Sequence, residues 1–362
     1  MQFIDLKTQY RKIQENIQMR INTVLEHGQY IMGPEVKELE GQLAEYVGSK
    51  YAIACSSGTD ALVLALMALD IKAGDEVITT PFSFFASSEV IVLLGATPVF
   101  VDVCPDTYNL DVSLVNAAIT PKTKAILSVS LYGQCADMTA LQILATDNKI
   151  ALIEDGAQSF GAIQNDVRSG NFGTVGCTSF FPSKPLGGYG DSGACFTNDE
   201  ALADRLRQLV QHGQSARYQH KYIGINGRMD SLQAAILLEK LAIFDEEVTL
   251  RQQVAFQYKE LLQGITKTPT ILANNTSVFA QYTIEVNDRE RFCQAMTELS
   301  IPTAVHYPAL LPFQPALDFL GYKPGDFPNA EKASNRVVSL PMHPYLSIEE
   351  QVQITNAVKQ AI

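Results

Sequence analysis

K-I-A-L-I-E-D-G-A-Q, residues 149–158, sets an unbroken apolar run, Ile150 to Ile153, directly before two carboxylates and a glycine turn. A strand that is apolar at successive positions, not at alternate ones, is buried on both faces. Its neighbours repeat the theme between about residues 50 and 200: Y-A-I-A-C, E-V-I-T-T, P-V-F-V-D-V and K-A-I-L-S-V-S alternate with segments of helical spacing. The βαβ rhythm predicts an α/β fold, a mostly parallel central sheet sandwiched by helices.

In such sheets ligands bind beyond the carboxyl ends of the strands. Four strand ends therefore carry the candidate chemistry: Ser56-Ser57-Gly58-Thr59, Pro81-Phe82-Ser83-Phe84, Glu154 to Gln158, and the turn around Lys184. S-S-G-T-D-A-L opens a helix, so its free N–H groups and hydroxyls suit a phosphate, or simply cap the helix. Asp155 is costly to bury unless it meets a cation such as a protonated ring nitrogen, or caps the next turn. Phe84 either stacks on a planar ligand or joins the core.

Lys184 lies in S-F-F-P-S-K-P-L-G-G-Y-G-D-S-G, 179–193, among Phe180, Phe181, Pro182, Pro185 and Leu186. Desolvation lowers the pKa of an amine in such company and frees it for Schiff-base chemistry; the plain alternative is a lysine that snorkels out of a glycine turn. Within the same stretch, G-Y-G-D-S-G matches G-x-G-x-x-G formally. A nicotinamide site would need that string to open a helix, whereas A-C-F-T-N-D after Gly193 reads as a strand.

The chain has 362 residues, 46% hydrophobic and 18% charged, and a net charge of -12. That acidity argues against nucleic acid as a general partner, so an anionic substrate needs a local positive pocket. R-Y-Q-H-K-Y-I-G-I-N-G-R, 217–228, gathers Arg217, His220, Lys221 and Arg228 and offers one, unless it is a solvated loop. V-H-Y-P places His306 and Tyr307 at the end of a strand expected near 302–306. Six scattered cysteines and five histidines show no C-x-x-C or H-E-x-x-H spacing, which predicts neither a disulfide framework nor a metal site. The lack of a membrane-length apolar run and of a basic, apolar leader predicts a cytoplasmic protein.

The first 30 residues read as an arm packed on the rest of the chain or on a partner subunit, 31–230 as the large α/β domain, and 231–362 as a small α+β domain. In the last of these, a helix from Ser231 towards Leu262, a strand over 278–286, a helix near 288–299 and a final helix from Ile348 are expected.

Phosphate cradle, ring, strand-end aspartate and deep lysine, in this order, resemble a fold-type I pyridoxal-phosphate transferase. The strings F-I-D-L, Y-I-M-G-P-E-V, S-G-T-D-A-L, I-E-D-G-A-Q-S-F-G, S-F-F-P-S-K-P-L-G, G-I-N-G-R-M-D-S-L-Q-A-A and S-L-P-M-H-P resemble, over essentially the whole chain, the DegT/DnrJ/EryC1/StrS sugar aminotransferases. The resemblance implies that Lys184 holds pyridoxal 5'-phosphate and moves the catalytic proton, and that Asp155 keeps the ring nitrogen protonated. Such a contact ion pair is worth on the order of 4 kcal/mol at an effective dielectric near 20. It implies further that Gln158 bonds the phenolic oxygen, that Phe84 stacks on the ring, and that Gly58, Thr59 and Ser179 hold the phosphate, with Asn226 from the other subunit of a homodimer.

Relatives with histidine in place of the lysine are dehydratases, so Lys184 favours transamination. H-G-Q-Y-I, S-L-Y-G-Q-C-A-D and P-T-A-V-H-Y-P resemble the members that act on UDP-2-acetamido-2-deoxy-3-oxo-D-glucuronate in O-antigen and surface polysaccharide biosynthesis. That implies L-glutamate as donor, Arg228 on the sugar carboxylate, and His306 and Tyr307 near the sugar. Phe84, often tyrosine there, and Gly156, often alanine, depart from the pattern. Another 3-keto or 4-keto nucleotide-sugar, a non-catalytic regulatory protein that binds the cofactor, and a nicotinamide oxidoreductase are the alternatives.

Overall fold

A computed structural model describes residues 1–362. Seven strands form the central sheet: β1 (Tyr51–Cys55), β2 (Glu76–Thr79), β3 (Thr97–Phe100), β4 (Thr123–Val129), β5 (Ala151–Asp155), β6 (Val175–Ser179) and β7 (Gly193–Thr197). They lie in the order β1-β7-β6-β5-β4-β2-β3, and only β7 pairs antiparallel with its neighbours. Successive residues of one strand feed opposite cores. In β5, Leu152 joins one apolar cluster and Ile153 the other, and in β4 Ile126 and Leu127 divide in the same way. Double-sided burial is what the unbroken apolar run required.

Helices α1 (Leu6–His27), α2 (Pro34–Val47), α3 (Gly58–Ala68), α4 (Ala86–Leu93), α5 (Val112–Ala118), α6 (Met138–Asn148) and α7 (Glu200–Leu209) connect and cover the sheet. Their ends are written in the sequence. Ser57, Asp111, Asp137 and Asp199 accept first-turn N–H groups of α3, α5, α6 and α7, and Gly28 and Gly48 close α1 and α2 with left-handed backbone.

The run expected to be one helix from Ser231 is two, α8 (Ser231–Ala242) and α9 (Phe244–Leu261). Ile243 leaves helical geometry, which lets Phe244 bury beside Tyr46 and Phe160 while Asp245, Glu246 and Glu247 favour a fresh helix start. α8 lies against α1 and α2, where Ile13 and Ile17 of the N-terminal arm pack on Ile236. A separate core begins with Val254 of α9 and joins β8 (Tyr282–Glu285), α10 (Arg289–Glu298), β9 (Val337–Leu340) and α12 (Ile348–Ala361), while α11 (Pro328–Arg336) packs on the central sheet.

Two strand expectations shorten. Over 278–286 only Tyr282–Glu285 pairs, with β9, because Val278 bonds Gly133 instead and Phe279 has φ 45°. Near 302–306 there is a single bridge, Ala304 to Ser339, flanked by Pro302 and Pro308, which cannot donate to a ladder. His306 and Tyr307 thus stand on a loop, not at a strand end.

Candidate active site

The C-terminal ends of β1, β5 and β6, the start of α4, and the 306–307 loop enclose a cavity of about 510 Å³. Gly58, Thr59, Phe84, Asp155, Gln158, Ser179, Lys184, His306 and Tyr307 all line it. Nine positions spread over 250 residues of sequence meet because each follows a strand or sits on the loop that crosses the strand ends.

At one end is the start of α3. Ser57 caps it, its hydroxyl accepting from Asp60 N at 3.0 Å, and the N–H groups of the first turn face the cavity. Gly58 is held against the end of β6, where an added Cβ would come within 2.5 Å of Ser179 Cβ. A side chain at residue 58 would force the start of α3 and the end of β6 apart.

At the other end stands Asp155, 5% exposed. Ser87 Oγ donates to its Oδ2 at 2.9 Å and Ala157 N to its Oδ1 at 3.2 Å. Burial raises its pKa, opposed by these two bonds and by the charge of Lys184. The turn carrying Lys184 closes through Lys184 N to Phe181 O at 2.8 Å, and packs so tightly that a Cβ at Gly187 would lie 2.5 Å from Pro182 O. Burial lowers the Lys184 pKa below the ordinary 10.5, with Asp155 pulling the other way.

Gln158 is buried with both amide ends assigned. Its Oε1 accepts from Tyr132 N at 2.9 Å, so its Nε2 points to the Tyr307 hydroxyl, 3.1 Å away. The Tyr132 hydroxyl donates to the His306 carbonyl, and His306 Nδ1 lies 3.0 Å from Ser339 Oγ. Burial, aided by the nearby Lys184, lowers the His306 pKa below the ordinary 6.5, so its ring is neutral at pH 7. The Phe84 ring is 57% exposed at the mouth, 6.4 Å from that of Tyr307.

Asn226 and Arg228 do not line this cavity. They flank Gly227, whose O accepts from Ser56 N at 2.7 Å and whose N donates to Val210 O at 3.1 Å, and Asn226 bridges Gln211 just past α7. Beside them the 214–220 hairpin projects its basic residues, with Tyr218 81% and Ile223 89% exposed.

Sequence reasoning did not single out Ser87, Tyr132 or Gln281. Ser87 follows Ser83 by one helical turn and could have been found from that spacing, since both hydroxyls face the strand ends. Gln281 lines the cavity with its Oε1 buried and unpartnered, and lay inside what read as a plain strand. The G-Y-G-D-S-G string leads into β7 and opens no helix, contrary to a dinucleotide fingerprint.

Residues 11–359 match the DegT/DnrJ/EryC1/StrS aminotransferase family. The chain is 54% identical over 346 residues to the UDP-2-acetamido-2-deoxy-3-oxo-D-glucuronate aminotransferase of Pseudomonas aeruginosa, with 95% of this chain and 96% of that protein covered. It is 41% identical over 361 residues to a pleiotropic regulatory protein of Geobacillus stearothermophilus, with 99% and 97% covered. In three dimensions it superposes on NtdA of Bacillus subtilis, solved with bound cofactor PMP, at a TM-score of 0.89 and 31% identity, covering 99% of this chain and 83% of that one.

Proposed function

Since the chain belongs to the DegT/DnrJ/EryC1/StrS aminotransferase family and is a pyridoxal-phosphate-dependent sugar aminotransferase, we propose that it transfers the amino group of L-glutamate to C3 of UDP-2-acetamido-2-deoxy-3-oxo-D-glucuronate. The observation that carries the reading is the facing pair Asp155 and Lys184 in one cavity with the Gly58 cradle.

The residues fit the cofactor. A helix start cleared by Gly58 and edged by Thr59 and Ser179 suits a phosphate group. Burial raises the pKa of Asp155, but its two donors and the charge of Lys184 favour the carboxylate, the form that can hold a proton on a ring nitrogen. Gln158 Nε2 gives one N–H to the Tyr307 hydroxyl and keeps a second for a ligand, and Phe84 stands exposed at the mouth. When bound, pyridoxal phosphate supplies the electron sink that lets a proton leave the carbon bearing the amine.

The chain's own share is proton handling and exclusion of water. Lys184, shifted towards the neutral amine by burial, takes the proton from the donor carbon at Nζ and returns it on the acceptor side. His306, neutral, and Tyr307, whose hydroxyl burial holds in the protonated form, offer hydrogen bonds without net charge to the sugar. The carboxylate of a uronate then needs a cation from elsewhere. Arg228, with Asn226 for the phosphate, supplies it from the partner subunit of a homodimer; their position outside this chain's own cavity supports that assignment. A UDP-activated amino-uronate is a building block for O-antigen or another surface polysaccharide, and the enzyme acts in the cytoplasm. No helix is long and apolar enough to cross a membrane.

The likeness to a regulatory protein favours a second reading, cofactor binding without turnover. Visible absorption before and after L-glutamate separates the two. Bleaching of a yellow protein, followed by recovery of colour and an aminated product with the 3-oxo-uronate nucleotide, supports the proposal. Colour that glutamate does not change supports the regulatory reading. Amination of neutral 3-keto sugars alone would overturn the acceptor assignment.

A further inference from the structure

A second, smaller cavity lies behind the turn that carries Lys184. Pro182 and Pro185 form one wall with Lys184 between them, and Asp5, Gln9, Lys240, Arg251, His343 and Tyr345 supply the rest of the polar lining. It leaves about 10 Å³, room for one particle of water size.

The charge around it does not balance. Lys240 and Arg251 are 1% and 4% exposed, and the one carboxylate buried with them is Glu247, 2% exposed. Gln9 Nε2 donates to both Glu247 oxygens, at 3.0 and 2.8 Å, and the Tyr345 hydroxyl donates to one of them. Neither Lys240 nor Arg251 takes part in any ion pair of the chain. Asp5, at the cavity edge, is occupied by Lys7 N, Thr8 N and the Thr8 hydroxyl. Arg251 donates once, from Nη1 to Phe279 O at 3.2 Å, and its Nε has no partner; nor have His343 Nδ1 and the acceptor Gln9 Oε1. Lys240 Nζ has the face of the Tyr189 ring, 4.9 Å to its centroid.

We propose that this cavity binds one small monovalent anion, chloride being the ion of the right size and abundance, between Lys240 Nζ and Arg251 Nε. A phosphate or sulfate does not fit the space. A water would satisfy the Arg251 Nε–H but leave two buried cations facing one carboxylate that is already shared, which is costly in a low dielectric. The same imbalance shows in the titration of the two groups: burial pulls Lys240 down to about 8 and Arg251 to about 10. The anion ties α1, α8, α9 and the 343–345 segment to the back of the turn, where Lys184 itself borders the cavity, so its effect is on how rigidly that turn holds the lysine.

Crystals of the holoenzyme grown without chloride and soaked in sodium bromide test this. An anomalous peak within contact of Lys240 Nζ and Arg251 Nε is expected; density there without anomalous signal means a water and overturns the proposal. Thermal unfolding of the holoenzyme in chloride or bromide against gluconate at equal ionic strength gives a second readout. A saturable halide-specific rise in Tm of roughly 2–4 °C, lost in Lys240→Met, is expected; equal responses to halide and gluconate would sink the idea. Should Lys240→Met fail to fold, the diffraction result on the native protein decides alone.

Discussion

Ser87 Oγ, in the first turn of α4, donates across 2.9 Å to Oδ2 of Asp155 at the end of β5. The carboxylate that faces the cavity is thus aimed by a helix that reaches it from 68 residues earlier in the chain. Ser87 is itself 1% exposed, and Ser83 Oγ, 3.2 Å away, can donate to its hydroxyl in turn. With Ala157 N on Oδ1, each carboxylate oxygen of Asp155 has one donor.

Removing that donor gives the first prediction. In Ser87→Ala, Asp155 keeps one of its two donors, its pKa rises further, and its ionised form is less available to a ring nitrogen. Cofactor affinity is expected to fall about 5- to 10-fold, the worth of one charge-assisted bond. Titration of the apoenzyme with pyridoxal phosphate, followed by absorbance, measures it. Ser87→Thr keeps the hydroxyl and should keep most of the affinity; an alanine variant that binds normally would remove Asp155 orientation from the account.

Gly58→Ala asks whether the α3 start is a phosphate cradle. The new Cβ would meet Ser179 Cβ at 2.5 Å, so strand end and helix start must separate. The cost to the apoenzyme is about 1–3 kcal/mol of overpacking. If the cradle holds the phosphate, the rise in Tm that native protein shows on adding cofactor should shrink to a fraction in the variant. A full rise on top of a lowered baseline would show that the clash is only a packing defect.

Much of this site was legible because α/β sheets place ligands beyond strand ends, and the residues after Cys55, Thr80 and Ile153 could be read directly, whereas Ser179 came only from the family resemblance. Lys184 stood out by its apolar company. Tyr132 did not, since its contribution to Gln158 is a backbone N–H that depends on a residue at φ 58°. Nor did the Lys240, Glu247 and Arg251 cluster, whose charges sit on helix positions that in sequence look solvated and are buried where the α1 arm, the Lys184 turn and the 343–345 segment meet over them. The 302–306 strand was mispredicted for a related reason. Pro302 and Pro308 lack the N–H groups a ladder needs, and one bridge remains.

Stability should depend on pH through Glu154, which is fully buried beneath the site. Ser169 Oγ donates to its Oε1 at 2.6 Å and Gly170 N to its Oε2 at 2.8 Å, yet burial dominates and raises its pKa from 4.5 to about 7. Between those values the folded chain holds a proton that the unfolded chain has released. Its contribution is therefore fully present below pH 4.5 and is lost as pH rises through 7, on the order of 3 kcal/mol across the window. In Glu154→Gln the amide accepts from Gly170 N and donates to the Ser169 hydroxyl, so nothing is orphaned. The difference in Tm, variant minus native, should grow from pH 5 to pH 8; a constant difference would mean that Glu154 ionises normally.

Asn226 and Arg228 lie outside their own chain's cavity, and the proposed function gives them to the partner's site. Subunit mixing tests that directly. Lys184→Ala removes the reacting amine and Arg228→Ala the cation for the sugar carboxylate; each homodimer should lose at least about 100-fold in acceptor turnover. If each site takes Lys184 from one subunit and Arg228 from the other, a mixed dimer carries one doubly defective site and one intact one. Random reassociation of equal amounts makes half the dimers mixed, so activity should return to about a quarter of native. If both residues serve the same subunit, every site in the mixture holds one lesion and no activity returns. Arg228→Ala adds a substrate check within the same set, because a carboxylate role confines its loss to uronate acceptors and leaves the glutamate half-reaction, read by bleaching of the visible band, at native rate.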